Sequence, residues 1–255
     1  MRDEAGSPAL NEGQARAAGS GMKAMMPVGR PFLDYTVSAL ADAGIRHVCI
    51  VVGPHHQSIR EHYSGLSTPS RLRVDFAVQN EPRGTADAVL AARNFVGGDD
   101  FLVLNGDNYY PASVITPLLA LSGQGLPGFR LDALVQQSNI DVVRIRQYAV
   151  LRVDSDGYLV DIVEKPDERA SIRWGADVLV SMNLWRFSAG MFEACARVAP
   201  SERGELELPA AVRLALRDGS ARFRVIETAD GVLDLSTRAD VAPVAERLRG
   251  IEVRL

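Results

Sequence analysis

The sequence predicts an α/β fold: a three-layer α/β/α sandwich around a mixed, mostly parallel sheet. Three observations carry that expectation. Strand-like and helix-like patterns alternate through the first half. The runs HVCIVVG and DFLVLNGDN are apolar almost throughout, as strands covered by helices on both faces are. The second half replaces crossover connections with a hairpin, which mixes strand directions. With 255 residues, 47% of them hydrophobic and 24% charged, the chain can bury the core of one large domain.

Taken in order, residues 1–22 are rich in Gly, Ala and Ser, lack sustained periodicity and read as a loop or poorly ordered arm, so order is expected from Lys23 and a single domain over 23–255. Between Pro31 and Gly44, Phe32, Leu33, Val37, Leu40 and Ala41 recur at helical spacing, and Gly44 supplies the stop. HVCIVVG is then a buried strand, SIREHY a helix, and LRVDFAV a strand with Leu72, Val74, Phe76 and Val78 on one face. TADAVLAARNF is a further helix, and DFLVLNGDN a buried strand ending in a turn. SGQGLPGFR, with three glycines and a proline, reads as a loop. YAVLRVDSDGYLVDIVEKP gives two strands around the turn DSDG, and ADVLVSMNLWRF a third strand alternating Val178, Val180, Met182 and Leu184. Helices at about 188–199 and 205–218, a strand RFRVI and a helix after Ser236 complete the chain.

Several function classes are excluded at this level. A net charge of −4, with both signs interspersed, lacks the basic stripe that nucleic acid requires. No apolar run approaches the roughly 18 residues of a membrane span, and the polar N-terminus is not a signal peptide. A small-molecule partner and a cytoplasmic location are the expectation. Cys49 and Cys195 sit in apolar runs far apart and read as buried thiols. His47, His55, His56 and His62 form no metal-ligand spacing, and Ser113, Ser181 and Ser188 lack a nucleophile-elbow context.

Four places could carry chemistry, each with a bland counterpart. LVLNGDNYY delivers Asp107 at the C-terminal end of a buried strand, where open α/β sheets bind ligands; a carboxylate there suits a magnesium ion on phosphate oxygens, or simply a turn. In QNEPRGTADAV, Gly84 and Thr85 open a helix after a strand, a place for a phosphate or base edge, or an ordinary strand-to-helix turn. In DIVEKPD, Glu164 could accept from sugar hydroxyls and Lys165 could meet a phosphate, or both could be a solvated turn. In GVLDLSTRADV, Asp234 precedes Ser236 and Thr237, which look like helix caps, and it could be another.

Together and in this order, KAMMPVGRPFLDYTVSALADAGI, QNEPRGTADAV, VLNGDN, VEKP and VLDLSTRADV resemble the sugar-1-phosphate nucleotidylyltransferases, over about Lys23 to Val241. The resemblance implies a Rossmann-like nucleotidyltransferase fold and an in-line attack of a sugar-1-phosphate oxygen on the α-phosphate of a nucleoside triphosphate, with pyrophosphate leaving. Positioning and charge neutralisation carry most of such a reaction. It further implies that Lys23 binds phosphate, that Gln79, Gly84 and Thr85 contact base and ribose, and that Asp107 and Asp234 converge on Mg2+. Glu164 and Lys165 would meet the sugar-1-phosphate, with Asn183 and Gly175 as further sugar contacts. Base, sugar and any homo-oligomer are left open. The absence of a C-terminal β-helix repeat speaks only against the bifunctional and trimeric-capped branches.

One departure stands out. The family opens with a buried strand running into LAAGxGTRMxP, whereas here AAGSG lies two residues before Lys23 and is preceded by the polar, helix-prone NEGQARAAG. AAGSG is therefore read as a decoy, Met1 and Arg2 as resembling the tail of the family's loop, and residues 3–22 as an insertion. The expectation that follows is an apolar groove, with unpaired backbone groups, where the first strand of such a sheet would lie. Two alternatives to the enzyme stay open: a non-catalytic, regulatory sugar-nucleotide binding protein of the same family, and a GT-A type glycosyltransferase, although NGDN is not a DxD.

Overall fold

The computed structural model describes residues 10–19, 22–65, 67–163 and 178–255. It opens with a helix, α1 (Glu12–Gly19), where an irregular arm was expected. The reason is a reciprocal cap: the Gln14 N–H donates to Asn11 Oδ1 (2.9 Å) and the Asn11 N–H to Gln14 Oε1 (3.1 Å). Ala17 and Ala18 are buried against Leu233, Leu235, Val241 and Leu248. The AAG of AAGSG is thus the packed last turn of a helix.

A short 310 turn, Lys23–Met25, leads into α2 (Phe32–Asp42), which ends at Gly44 with φ +101°. Strand β1 (His47–Val52), α3 (Gln57–Ser64) and β2 (Arg73–Val78) follow as expected, with β1 and β2 parallel. The single helix expected over TADAVLAARNF is two, α4 (Thr85–Ala91) and α5 (Arg93–Val96), divided at Ala92. Next come β3 (Phe101–Val103), β4 (Asn108–Tyr109) and α6 (Ala112–Leu119).

SGQGLPGFR is the main correction. Gly125–Arg130 forms β5, buried and hydrogen-bonded on both sides. Its glycines are there for close approach: a Cβ on Gly125 would lie 2.5 Å from the Arg224 carbonyl oxygen, and one on Gly128 2.8 Å from Val225 Cγ1. Its proline is tolerated because the antiparallel partner is interrupted opposite it. Gly125 pairs with Arg186 and Phe129 with Val180, and the residues between Val180 and Arg186 form no ladder with β5. The strand expected over ADVLVSMNLWRF is accordingly split into β8 (Leu179–Val180) and β9 (Trp185–Phe187), with Asn183 left-handed at φ +58° in the break.

Between them lie α7 (Leu131–Gln137), α8 (Val142–Ile145) and the expected hairpin β6 (Val150–Val153) and β7 (Leu159–Val163). After β9 come α9 (Met191–Arg197), α10 (Leu208–Arg217), β10 (Arg224–Thr228), β11 (Leu233–Asp234) and α11 (Val241–Leu248). The main sheet runs β3-β9-β5-β8-β6-β7, with β10 on β5. Its two faces bury different cores: Phe129, Val180 and Leu184 join α2, α3 and α6 on one side, while Leu126, Trp185 and Phe187 join α4, α9 and α10 on the other. The α/β/α class therefore holds, and the sheet is mixed. Parallel pairing is confined, among the described residues, to β1–β2 and β5–β10, because the second-half strands return by short connections.

The expected groove is present. Among the described residues β1 pairs with β2 alone and β3 with β9 alone. A cavity of about 760 Å³ lies between them, lined by consecutive residues His47–Val51 and Phe101–Gly106, with α2 and α4 also on its walls. Consecutive rather than alternate residues mean that strand edges, and not side-chain faces, border it.

Candidate active site

Beyond β3 the chain turns through Asn105, Gly106 and Asp107, closed by the Asn108 N–H donating to the Asn105 carbonyl (3.3 Å), and then enters β4. A Cβ on Gly106 would sit 3.8 Å from Ala24 Cβ, so this turn packs on the 310 turn that carries Lys23. Buried Met26 and Val28 anchor that second turn. The two turns bring Lys23 Nζ to 3.3 Å from Asp107 Oδ2 across 84 residues of chain. Both side chains keep about a third of their surface in solvent (32% and 30%), so the pair is accessible to a ligand. Among the described residues Lys23 is the one partner of the Asp107 carboxylate, on Oδ2, and Oδ1 has none.

Asp234 arrives by strand pairing. Strand β11 runs antiparallel to β4 with Asp234 opposite Asn108, and the Leu235 N–H donates to the Asp107 carbonyl (2.9 Å). The structure thus brings Asp107 and Asp234 together from 127 positions apart in the sequence. Their side chains differ in state. Asp234 is buried, and its carboxylate accepts from Asn108 Nδ2 (3.1 Å) and Ser236 Oγ (3.0 Å) on one oxygen and from Arg144 and Tyr148 Oη (3.4 Å) on the other. Burial pushes its carboxyl above the usual range, as do the charges of Asp107 and Asp240; the Ser236 hydrogen bond and the Arg144 charge act the other way. Burial likewise raises the Tyr148 and Tyr110 phenols.

Gln79 follows β2, with its N–H donating to the Val52 carbonyl (2.9 Å). Its side-chain amide donates to the Gly84 carbonyl (3.0 Å) and to Asp87 (2.8 Å), which binds it to the start of α4. Gly84 has φ +118°, and a Cβ there would meet the Leu206 backbone at 2.5 Å, so only glycine fits. Thr85 Oγ1 accepts from the Leu208 N–H (2.9 Å) and caps α10. These three residues lie together, each with a structural bond of its own. Asn183 occupies the left-handed break between β8 and β9, half-buried. Glu164, Lys165 and Gly175 lie outside the described residues.

The sequence reading passed over the segment that holds Asp234. Asn139 donates from Nδ2 to the Asp234 carbonyl (2.8 Å) and accepts the Asp234 N–H on Oδ1 (2.8 Å), acting as a further strand partner. Arg144 bridges Asp234 to Asp240, also buried. A local signal existed, since Asp141 caps α8 by accepting the Val143 and Arg144 N–H groups (2.9 and 3.0 Å). Contacts across some 95 residues carry no local signal.

Among the described residues no three or more His, Cys, Asp or Glu gather as metal ligands. Of the two aspartates expected to hold Mg2+, Asp107, with one oxygen free of partners among the described residues and with solvent access, fits a cation as it stands.

Comparison with known proteins identifies related sequences and folds. A low-salt glycan biosynthesis nucleotidyltransferase, Agl11 of Haloferax volcanii, is 30% identical over 204 residues, which are 79% of this chain and 53% of that protein. A glucose-1-phosphate thymidylyltransferase of Xanthomonas campestris pv. campestris is 28% identical over 236 residues, 91% of this chain and 75% of that one. The chain therefore spans about half the length of the first and three quarters of the second. Among solved structures, UDP-glucose pyrophosphorylase complexed with UDP-glucose superposes with a TM-score of 0.70 at 16% identity, over 90% of this chain and 91% of that one. HddC from Yersinia pseudotuberculosis complexed with GMP-PN gives 0.62 at 20% identity, over 89% of each. At those identities the two structures establish the fold. Residues 19–242 match the family described as Nucleotidyl transferase, and with both turns and the β4–β11 pair inside that span, the chain belongs to that family.

Proposed function

We propose that this chain transfers a nucleotidyl group from a nucleoside triphosphate to a sugar-1-phosphate, giving an NDP-sugar and pyrophosphate. The observation that carries the reading is the Lys23–Asp107 pair, two opposite charges held by facing turns at the mouth of the sheet. A divalent ion such as Mg2+ on Asp107 would neutralise charge on the phosphate oxygens during in-line displacement. Lys23 donates to those oxygens and is oriented by Asp107 until the triphosphate arrives. Gln79, whose side-chain carbonyl oxygen has no partner among the described residues, accepts from the base, and Thr85 can still donate its hydroxyl proton toward the ribose. The backbone at Gly84, fixed against Leu206 at the start of α4, contacts base and ribose. Asn183, with Glu164, Lys165 and Gly175, takes the sugar-1-phosphate. The relatives named for thymidylyl transfer to glucose-1-phosphate support this substrate class.

The test is magnesium-dependent pyrophosphate release over a panel of triphosphates and sugar-1-phosphates. Turnover with one pair, abolished by EDTA, is the expected result. Binding of an NDP-sugar without turnover of any pair would replace the enzyme by the regulatory reading.

A further inference from the structure

Asp107 and Asp234 lie next to one another where β11 pairs with β4, Asp234 opposite Asn108 and the Leu235 N–H on the Asp107 carbonyl, yet they are built for different tasks. An ionised carboxylate offers about four acceptor positions. At Asp234 all are taken: Asn108 and Ser236 on Oδ1, Arg144 and Tyr148 on Oδ2. Its charge is also engaged, because Arg144 places one guanidinium nitrogen on Asp234 and the other on Asp240, one cation shared by two carboxylates. Asp240 in turn accepts the Ser236 and Thr237 N–H groups (3.1 and 2.6 Å) and the Thr237 hydroxyl (3.0 Å), so Arg144 has no slack to leave one carboxylate for the other. A cation at Asp234 would have to displace a part-buried ion pair, and the Arg144 charge beside it would repel that cation. Among the described residues Asp107 has Lys23 alone as its partner, on Oδ2, and none on Oδ1.

We infer that Arg144 is the resident cation of Asp234, so that a divalent metal is held on Asp107 without Asp234, which serves instead as the anchor joining the 139–148 segment to β11. This rests on the proposed role of Asp107 in binding a cation, and differs from the two-aspartate pattern implied by resemblance. It makes Arg144 a positioning residue that also restricts the metal to one side of the β4–β11 pair.

The test is Mn2+ binding to the full chain without nucleotide, read as free Mn2+ by electron paramagnetic resonance. Asp107→Asn should weaken binding on the order of tenfold or more, while Asp234→Asn should leave it unchanged. Arg144→Gln, which removes the charge but keeps hydrogen-bonding capacity, should tighten binding on the order of tenfold by freeing Asp234. A residue that only stabilised the fold would leave affinity unchanged or lower it. Loss of Mn2+ binding in a folded Asp234→Asn protein overturns the inference. If that variant does not fold, unchanged or weaker binding by Arg144→Gln overturns it equally. Absence of Mn2+ binding by the parent chain overturns the role of Asp107, and this inference with it.

Discussion

At the level of single residues, the proposed chemistry depends on an ion pair about a third exposed and the stability on fully engaged neighbours. Asp107→Asn keeps the shape of the Lys23 contact but removes the charge, so pyrophosphate release should fall by about 100-fold or more in kcat with little change in melting temperature. A parallel drop in melting temperature would mean that Asp107 is structural. The thiols provide a second test. Burial, helped by the charge of Asp75, pushes the Cys49 thiol up to about 11, and burial alone pushes Cys195 up to about 12. A raised thiol pKa means a neutral, slow thiol at pH 8, with about tenfold more thiolate per pH unit until the pKa is reached. Alkylation of Cys49 should therefore still be accelerating between pH 9 and 10, where a free cysteine levels off. Cys49 borders the groove, while Cys195 is enclosed in the core. Mass spectrometry of the alkylated protein should find Cys49 modified first and Cys195 only on unfolding.

At the level of elements, turn and cap chemistry sets what forms where. Gly84→Ala would place a methyl group against the Leu206 backbone in a conformation L-residues avoid, and should cost about 2 kcal/mol or more, seen as a lower urea midpoint. Asn11→Ala removes half of a reciprocal cap and should destabilise α1 by about 1 kcal/mol, measured as lost amide protection over residues 12–19 with β5 unaffected. Most elements were legible in the sequence because their signals are local: the period of α2, the apolar run of β1, the DSDG turn of the β6–β7 hairpin. The exceptions have identifiable causes. Glycine and proline in β5 read as loop because their purpose, close approach to Arg224 and Val225 and a gap opposite Pro127, belongs to neighbours in space. α1 read as irregular because small alanines show little periodicity until a second helix covers them.

At the level of the whole molecule, the groove between β1 and β3 divides the strands into two stability classes. β5 is buried and paired on both sides, whereas β1 offers one edge to the cavity. Hydrogen exchange should accordingly show β5 amides among the slowest and cavity-side β1 amides among the fastest strand amides. Equal protection of the two strands would mean that the groove is closed in solution. The same architecture explains why the site was only half readable. Lys23 and Asp107 each sit in a recognisable stretch, and their pairing follows from two turns packing face to face.

The sequence by itself determined the α/β class, the order of most elements, the family resemblance and the identity of Lys23, Asp107 and Asp234 as residues to watch, because periodicity, turn residues and ordered motifs are properties of neighbouring positions. Only the tertiary structure decided that, among the described residues, Asp107 keeps an open oxygen while Asp234 is filled by Asn108, Ser236, Tyr148 and Arg144. Whether a carboxylate is free or satisfied depends on which donors the fold brings from far along the chain, and in a buried site those donors decide what else can bind.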